Sequence, residues 1–171
     1  MSNLLETVKG ILSTTEARWS SLTETVPVEL LTRTPAPSEW SAMGCMCHLL
    51  DTERWVFPAR VQALLSGKNF VAFDPDTQGT HYTTQYPEHL AEEFARLRKA
   101  SLIELDWVTI QDLTRTAQHS ELGTVTLGEL LHEWAAHDLM HTVQAERAIM
   151  QPFILGSGAW RPYFQDHDVS K

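Results

Sequence analysis

The chain is poor in cysteine, in positive charge and in long apolar runs, and each shortage closes off a class of protein. Two cysteines in 171 residues, Cys45 and Cys47, exclude a secreted disulfide scaffold. With 13 Lys and Arg against 22 Asp and Glu the net charge is −9. The basic footprint that neutralises phosphates is missing, so no nucleic-acid partner is expected. No apolar stretch approaches the roughly 20 residues that cross a bilayer. Glu6 interrupts the first apolar stretch and no small-residue cleavage site follows, so neither a membrane span nor a secretory leader is expected. What is present, 43% apolar and 20% charged residues, suits a globular domain. A single domain over residues 1–171 can build a core without disulfide staples, and the cytoplasm is the expected compartment.

Apolar periodicity marks four helices. Asn3 and Glu6 form a capping-box pattern, and Leu4, Val8, Ile11, Thr15, Trp19 and Leu22 recur at helical spacing as far as Thr25. Residues 28–39 carry Pro35 and Pro37 and read as a turn-rich connection. A second helix spans residues 41–66 along Met43, Cys47, Leu50, Phe57, Val61 and Leu64, with Pro58 kinking or splitting it and Gly67 capping its end. Residues 68–86 hold no sustained period, and a connection that long is functional or mobile. The third helix opens at Pro87 and buries Leu90, Phe94, Leu97, Ser101, Leu105 and Val108. Polar residues 111–123 lead to a second capping box, Thr126-Leu127-Gly128-Glu129. The fourth helix runs from there to Met150, before Pro152 ends it. Residues 153–171 pack on the bundle without another long helix. No strand run is evident. The fold class is therefore all-α, a four-helix bundle, whose long second connection leaves the helix order open.

The fourth helix places histidines where the pattern calls for apolar residues. Its inward stripe is Leu130, Trp134, His137, His141, Gln144 and Ala148. Four residues turn a helix by about 400°, so His137 and His141 lie one turn apart on one face, close enough to share a cation. Two imidazolium ions there would repel each other and lose hydration. Two neutral rings around a divalent metal use lone pairs that are otherwise unsatisfied. Two hydrogen-bonded core histidines fit the same spacing, and both readings stand on pattern alone. His132-Glu133 is followed by histidine one residue too late for the zinc-protease pattern. His132 falls about 140° from His137 and reads as a packing or hydrogen-bonding residue. The second helix offers His48, within Cys45-Met46-Cys47-His48-Leu49-Leu50-Asp51, as a third ligand. Three histidines leave coordination positions open, as a reactive metal requires, whereas a closed structural site takes four protein ligands.

Ser38-Glu39-Trp40-Ser41 precedes the second helix, followed by His48-Leu49-Leu50-Asp51-Thr52-Glu53. Then come Gly123, Thr126-Leu127-Gly128-Glu129-Leu130-Leu131 and His137-Asp138-Leu139-Met140-His141-Thr142-Val143-Gln144. In order and spacing these pieces resemble the DinB-like superfamily over most of the chain. That superfamily embraces metal-dependent thiol S-transferases and related hydrolases. The resemblance implies a four-helix bundle, assembled as a homodimer, with His48, His137 and His141 as the metal ligands. It implies one divalent transition metal, zinc, nickel or iron. The chemistry it implies is attack by a low-molecular-weight thiol, or by water, on a small electrophilic molecule.

Other residues bear on that chemistry. Asp51, one turn beyond His48, is the candidate catalytic residue, placed to orient an imidazole or accept a proton. The alternative for Asp51, and for Glu53, is a solvated surface charge. Asp138 lies about 100° from His137 and reads as an ion-pair or capping partner. Gln144 reads as an interior hydrogen-bonding or packing residue. Cys45 and Cys47 point about 200° apart on a helix and cannot grip one ion together. Both read as buried thiols, with Cys45 on the His48 side. Trp40, Trp55, Trp134 and Trp160 read as core and cap aromatics, Trp55 and Trp134 also as cavity walls. His81-Tyr82 and Arg161-Pro162-Tyr163 are candidates for the cavity entrance. Two functions are carried forward: a metal-dependent enzyme, and a metal- or small-ligand-binding stress-response protein without turnover. The second expects the open positions to be blocked, by Asp51 or Cys45.

Overall fold

A computed structural model of the chain describes residues 4–79 and 86–169. The first helix, α1 (Leu4–Thr25), buries Leu5, Val8, Leu12, Thr15 and Trp19, the three- and four-residue steps of one face. The expected cap Asn3 lies outside the described residues. The connection after α1 was expected to be all turn, yet Val28–Thr32 forms a short helix, α2, that seats Leu31 in the core.

Pro58 splits the second helical stretch. α3 (Ala42–Trp55) starts at Ser41, whose Oγ accepts the Gly44 N–H at 3.1 Å. The chain breaks at Val56 (φ −112°, ψ −71°), and α4 (Phe57–Leu65) restarts with Pro58 in its first turn, where the missing N–H costs no ladder bond. α4 ends as expected at Gly67, whose φ of 64° lets the Gly67 and Lys68 N–H groups close on the Leu64 and Ala63 carbonyls. The buried face of α3 is Ala42, Cys45, Met46, Leu49 and Leu50; Met43 and Cys47, expected on the main line, are half-buried. A short helix, α5 (Pro75–Gln78), follows under an Asp74 cap and ends at Gly79, where a Cβ would sit 2.3 Å from the Pro75 carbonyl oxygen.

The third long helix, α6 (Pro87–Leu105), opens at the expected proline. Residues read as a polar connection contain an antiparallel hairpin, β1 (Thr116–His119) and β2 (Gly123–Thr126), with Thr116 opposite Thr126. Four-residue strands with three Thr and only Ala117 and Val125 as apolar residues carry too little alternation to be seen in the sequence. The last helix, α7 (Leu127–Gly156), begins at the full reciprocal capping box of Thr126 and Glu129. It was expected to stop before Pro152 but runs on to Gly156. One lost rung is tolerated there because packing holds the turn: Gln151 donates to the Arg147 and His167 carbonyls and ties down the tail.

Four helical stretches thus build an all-α, four-helix bundle, with the hairpin added to one end. α1 packs against α6 and α7, and α3 packs against the same two helices. The first and second stretches therefore lie on one diagonal, and α3 faces α7 directly. Two apolar clusters fill the interior, one around Leu12, Phe57, Leu131 and Trp134, the other around Trp19, Met46, Leu50 and Phe94. Trp134 stacks on Phe57 with ring centroids 5.0 Å apart. Trp55 and Trp160, expected as core and cap aromatics, are instead 60% and 66% exposed: Trp55 ends α3 on its solvent side and Trp160 lies beyond the end of α7. Among the described residues no helix is long and apolar enough to cross a membrane.

Candidate metal centre

Because α3 faces α7, His48 meets His137 and His141. Ring centroids are 5.0 Å apart for His48 and His137, 4.6 Å for His48 and His141, and 4.5 Å for His137 and His141. One nitrogen from each ring lies within 4.8 Å of the other two, and Nε2 of His48 faces Nε2 of His137 at 3.0 Å. Nitrogens that each bind one ion at about 2.1 Å stand about 3.0–3.4 Å apart, so this spacing suits neighbouring ligands.

The three rings are held neutral. Burial pushes His48 down to about 4, helped by His141 and opposed by Asp51. It pushes His137 down to about 3, with His141, His48 and Arg98 adding to the shift. His141 is also lowered by burial, partly offset by its bond to Gln144. At neutral pH each ring is uncharged, keeping one N–H and offering its other nitrogen as a lone-pair donor. Gln144 Oε1 sits 2.9 Å from His141 Nδ1; an oxygen acceptor there requires Nδ1–H and leaves Nε2 with the lone pair. His137 Nδ1 is buried with no hydrogen-bond partner among the described residues. A divalent cation fits this donor set, since it satisfies facing nitrogens that cannot all satisfy one another.

Aromatic rings frame the cluster. Trp40 stacks on His141 at 5.6 Å and edges His48 at 5.0 Å, while Phe57 edges His137 at 5.1 Å. A cleft of about 370 Å³ opens from the histidines, bordered also by Phe73, Arg60, Glu133 and Met140. Neither Asp51 nor Cys45 lines that cleft, so neither blocks it.

Other expected residues fall in different places. Asp51 is 2% exposed, not solvated; its Oδ2 lies toward Gly79 and its charge acts on His48 from beside the cleft. Glu53, read equally as a surface charge, is buried against Arg98 at 2.8 Å. Asp138 is the ion-pair partner its angle suggested, gripping Arg98 through both oxygens. His132 is exposed rather than packed. Burial pushes both Cys45 and Cys47 up to about 12, so both are protonated, unreactive thiols at neutral pH. Arg161 pairs with Asp168 in the tail, and Trp55 walls a neighbouring cleft, not the one holding the histidines. His81 and Tyr82 lie outside the described residues.

Sequence reasoning missed Arg98, Arg60, Glu133 and Phe73. Glu133 had a signal, one helical turn before His137; Phe73 sits in an aperiodic connection and had none.

A three-histidine cleft inside a four-helix bundle defines a class, and sequence comparison gives the family. The chain belongs to the DinB superfamily, which matches residues 11–145. Among solved structures it is similar to YfiT from Bacillus subtilis, described as a probable metal-dependent hydrolase with an unusual four-helix bundle topology. That match has a TM-score of 0.74 at 16% identity and covers 84% of this chain and 85% of YfiT. It is also similar to YjoA, a DinB-like protein of Bacillus subtilis, with a TM-score of 0.57 at 19% identity over 84% of this chain and 90% of that one. At these identities the likeness is one of fold. No curated protein matches the chain.

Proposed function

We propose that the protein is a metal-dependent enzyme in which His48, His137 and His141 hold one divalent transition metal, zinc, nickel or iron. The observation that carries this reading is the convergence of three neutral imidazoles at the floor of an open cleft. A bound divalent metal supplies Lewis acidity, which makes a water or thiol nucleophile available at neutral pH. The chain's own residues supply the rest. Gln144 fixes the tautomer of His141, and Trp40 and Phe57 hold the rings in place and keep bulk water from two sides. The fourth ligand that would close a structural site is absent among the described residues, which favours turnover over storage. The substrate class is a small electrophilic molecule, attacked by a low-molecular-weight thiol or by water. The name given to YfiT, a probable metal-dependent hydrolase, supports the water branch, and the superfamily's thiol S-transferases support the other.

Elemental analysis of native protein beside a His137→Ala variant tests the metal assignment. One metal per chain is expected in the native protein and a large loss in the variant; stoichiometric metal in both defeats it. Conjugation of thiols to an electrophile panel, and hydrolysis of the same panel, with and without chelator, then separates the branches. Turnover that is absent or indifferent to chelator leaves a binding protein.

A further inference from the structure

Arg60 is a charged group that the metal reading leaves without a task. It lies on α4, three residues after Phe57, and lines the histidine cleft together with two neighbouring clefts of about 490 and 300 Å³. Phe73 borders all three with it, so the clefts meet at this guanidinium. Arg54, Arg96, Arg98, Arg115 and Arg161 each hold a carboxylate. Among the described residues Arg60 holds none; nor do Arg18, Arg33 and Arg147, but Arg60 is the one of these four that lines the histidine cleft. One Nη2 bond to the Val71 carbonyl, long at 3.4 Å, and the Phe70 ring 5.5 Å away are its contacts. In a chain with 22 acidic side chains, this half-buried guanidinium stands at the junction of three clefts with no carboxylate in ion-pair distance among the described residues, which leaves N–H donors available to an anion.

We propose that Arg60 is the recognition residue of the histidine cleft and takes the carboxylate of a small organic anion whose apolar body lies against Phe73 and Val56. A planar guanidinium offers paired N–H donors that match a carboxylate, and an aromatic neighbour strengthens its field by excluding water. Burial already weighs against the Arg60 charge, with Glu133 supporting it, so an anion in the cleft relieves that cost. The proposal rests on the reading that this cleft receives the substrate.

Benzoate and its uncharged isostere benzamide serve as probes, titrated calorimetrically into metal-loaded and chelator-treated protein. Wild type is expected to bind benzoate about ten-fold or more tightly than benzamide in both forms. Arg60→Gln removes that preference and Arg60→Lys keeps part of it, with metal content unchanged in each. Equal binding of the two probes to wild type overturns the proposal, as does a preference that survives in Arg60→Gln. A benzoate preference seen only in metal-loaded protein also overturns it, since the metal would then be the anion's receptor. If elemental analysis finds no metal in native protein and benzoate is still preferred, the metal reading fails and Arg60 recognition stands.

Discussion

Two polar clusters share α3 and α7, the latter carrying His137 next to Asp138, and they solve burial in opposite ways. Glu53, Arg98 and Asp138 form a closed group. Arg98 is 1% exposed, its Nη1 also donates to the Leu12 carbonyl at 2.9 Å, and Phe94 lies 4.7 Å beneath it. Burial opposes the Arg98 charge, but Asp138 and Glu53 outweigh it and hold the guanidinium protonated. Along each helix the triad falls between the two apolar clusters, so it joins α3, α6 and α7 at the middle of the bundle. The histidine group carries no charge and no internal balance, and it opens to a cleft. The first cluster balances its charges without a ligand, although Glu53 Oε1 and Arg98 Nε are buried with no hydrogen-bond partner among the described residues; the second has no such balance and opens to the cleft.

The largest expected effect breaks the closed cluster. Arg98→Ala leaves two buried carboxylates unpaired and should destabilise the protein by about 3–5 kcal/mol in urea unfolding. Replacing all three with apolar residues (Arg98→Met, Glu53→Leu, Asp138→Leu) should restore most of that loss, because no charge is then stranded. His137→Ala in chelator-treated protein should cost no more than about 1–2 kcal/mol, since it removes a ring whose Nδ1 has no partner. A triad variant as mild as His137→Ala would erase the distinction between the clusters.

Gln144→Ala sharpens the other half. It frees the His141 ring and should weaken metal binding by about 10–100-fold in chelator competition, with little change in unfolding of the metal-free protein. The smallest effect is a pH slope. His48 and His137 sit at about 4 and about 3 in the folded chain, against about 6.5 when unfolded. The unfolded state takes up the protons first, so metal-free protein loses stability as pH falls below 6.5 and continues to do so toward 3. A variant with both rings replaced by Gln should show a shallower acid slope, and an unchanged slope would contradict the neutral assignment.

Much of this was legible in the sequence, and the reasons differ by residue. His137 and His141 are four apart on one helix, so local geometry alone puts them on one face. Thr126 and Glu129 likewise form a capping box because both partners lie within one turn. Pro58 announced a break, since a ring cannot donate a hydrogen bond wherever the helix goes. Glu53 and Arg98 were not legible: they are 45 residues apart, and a charge reads as surface until its counter-charge is known. Pro152 misled for a related reason, since tail residues far from it in sequence hold its turn together.

Local periodicity by itself determined the long helices, most of their ends and the pairing of two imidazoles, because those depend on neighbours within a turn. Helix order around the bundle, and with it the meeting of His48 with the α7 pair, was decided only in three dimensions. So was the status of each charge, whether stranded, paired or facing a cleft, because desolvation and Coulomb attraction act between groups that the chain brings together only by folding.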